Sequence, residues 1–241
     1  FGELGGPSLS GIIGDFEQAS QELLKRVKAK CRGLYKQFTF DDHYFTTSKE
    51  TGIDYSKYKG KTLNPLAWLW ARTVVCPNPA CGKHTPLLST FCLSKKKSRP
   101  RYLYPVVTQQ KISFNITSTP PVHISGWEKG YKRGNSGVFA CAFCGSVTTR
   151  DYVSDQGKRG RLKILQTAIV LEGDRERVYV PADSNTGLEL IDTSKIDYLS
   201  APLAENPRDV WCRNFGLLSA SDLFTPRQLV MLDEFVNELS V

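Results

Sequence analysis

A chain of 241 residues with 40% hydrophobic and 23% charged side chains has the make-up of a globular protein, with room for one large domain or two small ones. It holds no run of about 18 apolar residues, so no membrane span is expected, and its start lacks the charged-then-apolar build of a secretory leader. Thirty-two Lys and Arg against 24 Asp and Glu leave a formal charge of +8, an excess that suits a polyanionic partner, most simply nucleic acid.

The chain begins at Phe1 without a methionine and ends at Val241 inside a helical pattern, so it is expected to be a segment of something longer. Residues 1–11, rich in glycine, serine and proline, read as a flexible lead-in. From Gly14 to Cys31 the pattern is helical. Phe16, Leu23, Val27, Cys31 and Leu34 share one apolar face, and Glu17, Glu22, Lys25, Arg26 and Lys28 form the wet one. Gly33 sits where such a helix stops. Cys31, on the apolar stripe, is expected in the core. Residues 35–62 carry Tyr35, Phe38, Phe40, Tyr44, Phe45, Tyr55 and Tyr58. Rings packed back onto the core are the expectation; a stacking surface for bases is the alternative. His43 stands between Asp42 and Tyr44 with no recognisable catalytic partner.

Leu66 to Val75, with Trp68, Trp70, Val74 and Val75, reads as a buried strand or short helix leading into the first of two cysteine knuckles, Cys76-Pro77-Asn78-Pro79-Ala80-Cys81-Gly82. Pro77 and Pro79 keep that knuckle irregular. Thr85 to Leu93 is expected to be a return strand, so that a hairpin flanks the knuckle. The second knuckle is Cys141-Ala142-Phe143-Cys144-Gly145. Two closely spaced thiol pairs can converge on one tetrahedral Zn²⁺, and the glycine after each lets the backbone turn at positive φ beneath the sulfurs. Fifty-nine residues lie between Cys81 and Cys141, so the metal would tie distant segments together. Buried free thiols, or two disulfides in an oxidising compartment, remain as alternatives. A redox dithiol would leave one knuckle unexplained. The odd total of seven cysteines and the knuckle spacing suit a reducing cytoplasm. A closed four-cysteine site has no open position for substrate, so a structural metal is expected. Bound zinc on four thiolates would bring the net charge to about +6. His84 is a spare ligand at most.

Lys95-Lys96-Lys97-Ser98-Arg99-Pro100-Arg101 is the strongest basic run, followed by Tyr102 and Tyr104. A solvated loop is the ordinary reading; beside a metal knuckle the run also fits contacts to phosphates. Residues 102–116 alternate as strands. Ser118 to Arg133 reads as a loop, and Val138 and Phe139 lead into the second knuckle. Gln156-Gly157-Lys158-Arg159-Gly160-Arg161 reads as a flexible basic turn without a phosphate-loop spacing. Leu162 to Leu171 and Arg177 to Pro181 are expected strands joined across Glu172 to Arg175. Leu188 to Leu199 is ambiguous, and Ala201 to Phe215 is a connector. Thr225-Pro226-Arg227-Gln228 is a helix start, with threonine as cap, proline in the first turn and glutamine closing a capping box. Leu229, Leu232, Val236 and Leu239 form the apolar side of that helix. A core helix is expected there, with a DNA-reading helix as the alternative.

Several of these stretches resemble, in order, the zinc-ribbon-containing adenine-specific DNA methylases. Trp68-Leu69-Trp70-Ala71-Arg72-Thr73-Val74 runs into the first knuckle, followed by Pro86-Leu87-Leu88 and Leu93-Ser94-Lys95-Lys96-Lys97. After the second knuckle come the Gly157 to Arg161 turn, Asn206-Pro207-Arg208-Asp209, and Asp222-Leu223-Phe224-Thr225-Pro226-Arg227-Gln228-Leu229. The resemblance spans Asn64 to Val241. It implies a protein that moves a methyl group from S-adenosylmethionine to the exocyclic amine of adenine. The family's catalytic motif, an acidic or asparagine residue before two prolines and an aromatic, has no counterpart here. Thr119-Pro120-Pro121-Val122 lacks the flanks, and Asn64-Pro65-Leu66 lacks the second proline. No glycine-rich cofactor loop follows a strand either, so catalytic and cofactor residues are expected outside this chain.

The expected fold class is α+β: a four-cysteine zinc ribbon within an antiparallel β module (61–200), preceded by a helical and aromatic-rich segment (1–60) and followed by a connector and C-terminal helix (201–241). Cys76, Cys81, Cys141 and Cys144 are the expected metal ligands. Lys95, Lys96, Lys97, Arg99, Arg101, Lys158, Arg159 and Arg161 are the expected contacts to DNA, with the remainder of a methylase chain as the other partner. A scaffold whose ribbon only holds a partner, its basic loops solvated, is the rival reading.

Overall fold

The eleven-residue strand β3 (Pro65–Val75) is dense in tryptophan and β-branched residues, which suit a pleated, half-buried surface. In the computed structural model, which describes residues 9–42, 44–45, 51–134, 137–182, 191–196, 200–206, 208 and 210–239, β3 pairs antiparallel along its length with β11 (Lys163–Gly173). Residues 166–171 of β11 are buried without interruption, the pattern of a central strand covered on both faces. β11 turns through Asp174 and Arg175 into β12 (Glu176–Pro181), with Arg175 at φ +56°. Thr167 is skipped by the β3–β11 register and donates its hydroxyl to the Leu69 carbonyl at 3.0 Å, so the bulge leaves that buried group satisfied. β4 (His84–Pro86) adds to the other edge of β3, giving the sheet order β12-β11-β3-β4.

Thr85 to Leu93 does not form the single return strand the sequence suggests. β4 ends at Pro86, and β5 (Cys92–Ser94) belongs to a second antiparallel sheet, β5-β6-β7, with β6 (Arg101–Val107) and β7 (Ile112–Thr117). Pro86 lacks the N–H that would continue the ladder. Leu103, Ile112, Phe114 and Ile116 enter a shared core with Phe91, Ala168, Leu171, Val178 and Val180. The aromatic segment packs into the same core: Phe40 stacks on Tyr58 at 5.5 Å, and the buried Tyr55 donates its hydroxyl to the Tyr179 carbonyl at 2.6 Å. Phe40, Tyr55 and Tyr58 are thus core residues, as expected, and not a stacking surface. β1 (Phe38–Thr39) and β2 (Thr62–Leu63) close this segment as a two-stranded ladder. Ser118 to Arg133, read as a loop, contains a 3₁₀ turn at Trp127–Lys129 and β8 (Lys132–Arg133). With β9 (Val138–Ala140) and β10 (Val147–Thr148), β8 forms a third small sheet that carries the second knuckle.

Gln156 to Arg161 is only partly a turn. Arg150–Lys158 is a helix, α2, capped by the Thr149 hydroxyl, which accepts from the Tyr152 N–H. Gly157 is there for close approach: a Cβ at this position would collide with the backbone of Phe215, in the 3₁₀ turn Trp211–Phe215.

The chain forms two compact units, one from Phe1–Lys36, Gly187–Pro202 and Ser219–Val241, the other from Gln37–Thr186 and Leu203–Leu218. The strands and α2 belong to the second. In the first, α1 (Leu9–Lys30) begins five residues ahead of the expected Gly14, because nothing after Pro7 except glycine opposes a helix. It continues as a 3₁₀ turn, Cys31–Gly33. Val27 and Cys31 are buried as expected, but Phe16 on the same stripe is 73% exposed. The reason is that α3 (Pro226–Leu239) meets the C-terminal part of α1, where Arg26 pairs with Glu238 and Lys30 with Glu234 and Glu238. At the start of α3 the Gln228 carboxamide oxygen accepts the Thr225 N–H at 2.8 Å, the backward half of the expected capping box. His43 and half of 188–199 lie outside the described residues.

Gly157→Ala should lower stability by about 1–3 kcal/mol, since backbone opposes the added methyl. Gly14→Ala, in open space on α1, should instead raise it by about 0.5–1 kcal/mol. Urea denaturation of both variants checks the pair.

Candidate metal centre

The first knuckle grows out of the end of β3. Cys76 follows Val75 directly, and its N–H donates to the Lys83 carbonyl at 2.8 Å, closing the loop between β3 and β4. Within that loop Asn78 organises the turn: its side-chain oxygen accepts the Ala80 N–H at 3.0 Å, and its carbonyl accepts from Cys81 and Gly82. The second knuckle is a tight turn between β9 and β10. Cys141 N–H donates to the Ser146 carbonyl at 2.8 Å, and Gly145 N–H to the Cys141 carbonyl at 2.9 Å. Gly82 and Gly145 have φ of +57° and +75°, the left-handed backbone expected beneath the sulfurs.

The two loops face each other sulfur to sulfur. Sγ of Cys76 lies 3.6 Å from Sγ of Cys144, Sγ of Cys81 lies 3.8 Å from Sγ of Cys141, and all four lie within 4.8 Å of one another. Disulfide sulfurs sit about 2.05 Å apart, so these are four free thiols. A tetrahedron with metal–sulfur bonds of about 2.3 Å has edges of about 3.8 Å, so the thiols stand at the spacing one bound ion requires. The four expected cysteines are thus brought together and can hold a metal ion. His84 is outside the cluster: its Nδ1 faces the Thr73 hydroxyl at 3.2 Å, and burial, then the charge of Lys163, lowers its pKa.

Three hydrogen bonds outside the expected site residues brace the knuckles. Thr85 on β4 is fully buried, and its hydroxyl accepts the Ala142 N–H at 2.8 Å, tying the first hairpin to the second turn. The Asn78 carboxamide donates to the Ser146 hydroxyl at 3.4 Å across the same gap. Tyr152 on α2 donates its hydroxyl to the Val75 carbonyl at 3.0 Å. Asn at the third position of the first knuckle was the one visible signal, since asparagine favours such turns.

The thiols differ in how readily they ionise. Burial pushes Cys76 up to about 12. Cys81 is also raised: the Lys83 backbone N–H lowers it, but burial and the neighbouring thiols outweigh that. Exposed Cys144 is drawn down to about 6, first by the Ser146 hydroxyl 3.3 Å away and then by the Ser146 backbone N–H. An ion entering the cluster must therefore displace protons, from Cys76 above all.

No protein-family model, curated protein or solved structure matches this chain. No described helix is long and apolar enough to cross a membrane.

The eight basic residues expected at DNA are split between two connections. Lys95, Lys96 and Lys97 are exposed in the turn from β5 to β6, and Arg101 opens β6. Arg99 is not loose: its guanidinium pairs with Glu176 at the start of β12. Lys158 ends α2, Arg159 pairs back to Asp155 at 2.9 Å, and Arg161 is exposed in the connection to β11. The basic run is thus a pinned turn, and the second group is half helical instead of a flexible loop.

Metal affinity should rise with pH between 6 and 8, by about tenfold or more per unit, because Cys76 and Cys81 hold protons over that range and the ion competes with them. Thr85→Val should weaken binding by about 10–100-fold with all four ligands intact. Chelator competition at several pH values measures both.

Proposed function

We propose that this chain is the zinc-bearing, DNA-engaging segment of an adenine-specific DNA methyltransferase whose catalytic core lies outside it. The observation that carries the reading is the convergence of Cys76, Cys81, Cys141 and Cys144 at mutual distances suited to tetrahedral thiolate ligation. Four thiolates favour zinc, and four protein ligands fill a tetrahedral shell, which favours a structural role over catalysis. Bound zinc supplies a rigid tie between the β3–β4 loop and the β9–β10 turn, and it makes the arrangement a zinc ribbon. Free thiols suit the reducing cytoplasm.

Support for the DNA reading comes from charge and from sequence resemblance. The chain carries +8, and Lys95, Lys96, Lys97, Lys158 and Arg161 hold their charges at the surface. Such cations take up backbone phosphates with release of counterions. The ordered stretches from Trp68 to Leu229 resemble the methylase family, whose target amine lies inside the duplex stack. An enzyme that swings a base out benefits from a module that grips the opened strands. S-adenosylmethionine belongs to the core outside this chain, which supplies no residues for it.

One Zn per chain, lost in Cys76→Ser or Cys144→Ser, is the expected result of metal analysis. Duplex or single-stranded DNA should bind at low salt, with log affinity falling linearly against log salt. Reversing Lys95, Lys96 and Lys97 to Glu should weaken binding by about tenfold or more. Unchanged activity of the complete methylase carrying that reversal would favour a scaffold role, and no binding at low salt would end the DNA reading.

A further inference from the structure

Away from the cysteines, one carboxylate gathers cations from two separate stretches of chain. Glu176, the first residue of β12, keeps only 11% of its side chain exposed. Its Oε1 pairs with the Lys57 ammonium and accepts the Tyr58 hydroxyl at 2.6 Å, while Oε2 pairs with the Arg99 guanidinium. Burial alone would raise its pKa, but the Lys57 and Tyr58 hydrogen bonds and the charges of Lys57 and Arg99 hold it below the usual carboxylate value. Beside this carboxylate opens a cleft of about 270 Å³, lined by Lys57, Arg99, Arg101 and Arg177 against Asp54 and Glu176.

Its electrostatics are those of an anion site. Four basic residues and two acidic ones line it, a surplus of two positive charges. Glu176 is already matched by Lys57 and Arg99. Asp54 accepts the Ser56 N–H at 2.8 Å and lies on the exposed rim. Among the described residues, no carboxylate lies within ion-pair distance of Arg101 or Arg177; Arg101 gives one N–H to the Pro100 carbonyl at 2.7 Å. A guanidinium has five N–H donors, so Arg99 and Arg101 retain most of theirs for a ligand. The cleft opens to solvent and has ample room for one tetrahedral oxyanion with its ester oxygens.

We propose that the cleft between Tyr55–Tyr58, the Arg99–Arg101 turn and β12 binds a single phosphate group, with Arg101 and Arg177 as its principal donors. Glu176 is a positioning residue that holds Lys57 and Arg99 toward the same space. Under the DNA-engaging reading, on which this identification of the source rests, the ligand is a backbone phosphodiester. The basic turn is then held ready by an ion pair, and Lys95, Lys96 and Lys97 ride on it toward neighbouring phosphates.

The full zinc-loaded chain and its Arg101→Ala/Arg177→Ala variant test this in two arms. In one, thermal melting is compared in inorganic phosphate and in chloride at equal ionic strength. In the other, binding of a random-sequence duplex is followed across a salt series. Phosphate should raise the melting temperature of the wild type only, and the variant should lose about one unit from the salt slope and about tenfold or more in affinity. A variant that matches the wild type in both arms overturns the site. A phosphate effect without any DNA binding keeps the site and removes the DNA reading, whereas DNA binding with an unaltered slope and no phosphate effect does the reverse. Glu176→Gln preserves shape and an acceptor for Tyr58; weaker phosphate binding at unchanged zinc content supports its positioning role, and tighter binding, from removal of a competing charge, overturns that role.

Discussion

The pairing of β3 with β11 is the constraint on which the larger unit depends. β11 is buried on both faces from Gln166 to Leu171, so its backbone groups must find partners in neighbouring strands. β3 supplies them on one side and β12 on the other. Once β3 is held, the direction of its last residues is settled, and Cys76 leaves the sheet at a defined point. β4 returns along the same edge, with Val75 opposite His84, which limits the loop between them to the span of the first knuckle. The start of β12, at the other end of the sheet order, becomes the place where Glu176 collects its partners.

The cysteine cluster, which could hold a metal ion, is braced by hydrogen bonds between its two loops. Thr85, Asn78 and Ser146 span the gap between two loops that are 59 residues apart in the chain. Without those links, four thiols of which one is exposed would have little reason to converge, since thiols attract one another weakly. A metal ion would add the strong interaction, and the polar contacts reduce the ordering it must supply. The same supports set the ionisation of the ligands: burial keeps Cys76 protonated, while Ser146 favours the thiolate of Cys144.

Charge on the surface follows a similar logic. A run such as Lys95 to Arg101 reads in one dimension as a solvated loop, and three of its lysines are in fact exposed. Arg99 departs from that reading because a carboxylate 77 positions later is buried beside it. A partly buried carboxylate requires compensating cations, and Lys57 and Arg99 meet that need jointly. The turn is thereby pinned to the sheet, so the lysines on it are presented from a fixed base. Arg159, exposed like Lys158 and Arg161, is likewise held, by Asp155 one helical turn earlier.

What the amino-acid sequence determined by itself was whatever depends on short-range pattern: the apolar element leading into Cys76, left open there between strand and short helix, the hairpin of β11 and β12, the first and last helices, and the four cysteines with their glycines. Spacing, turn chemistry and apolar periodicity act over a few residues and can be read directly. The division of 85–93 between two sheets could not be, because Pro86 ends one ladder while the pairing of β5 with β6 is decided by partners farther along. Nor could the exposure of Phe16, which depends on how far α3 reaches along α1, nor the helical state of Gln156 and Gly157, against which the Phe215 backbone packs closely. Thr85, Tyr58 and Glu176 carry no signal in one dimension. Their roles arise from contacts made across 57, 118 and 77 positions, where only the closed tertiary structure brings donor and acceptor within reach.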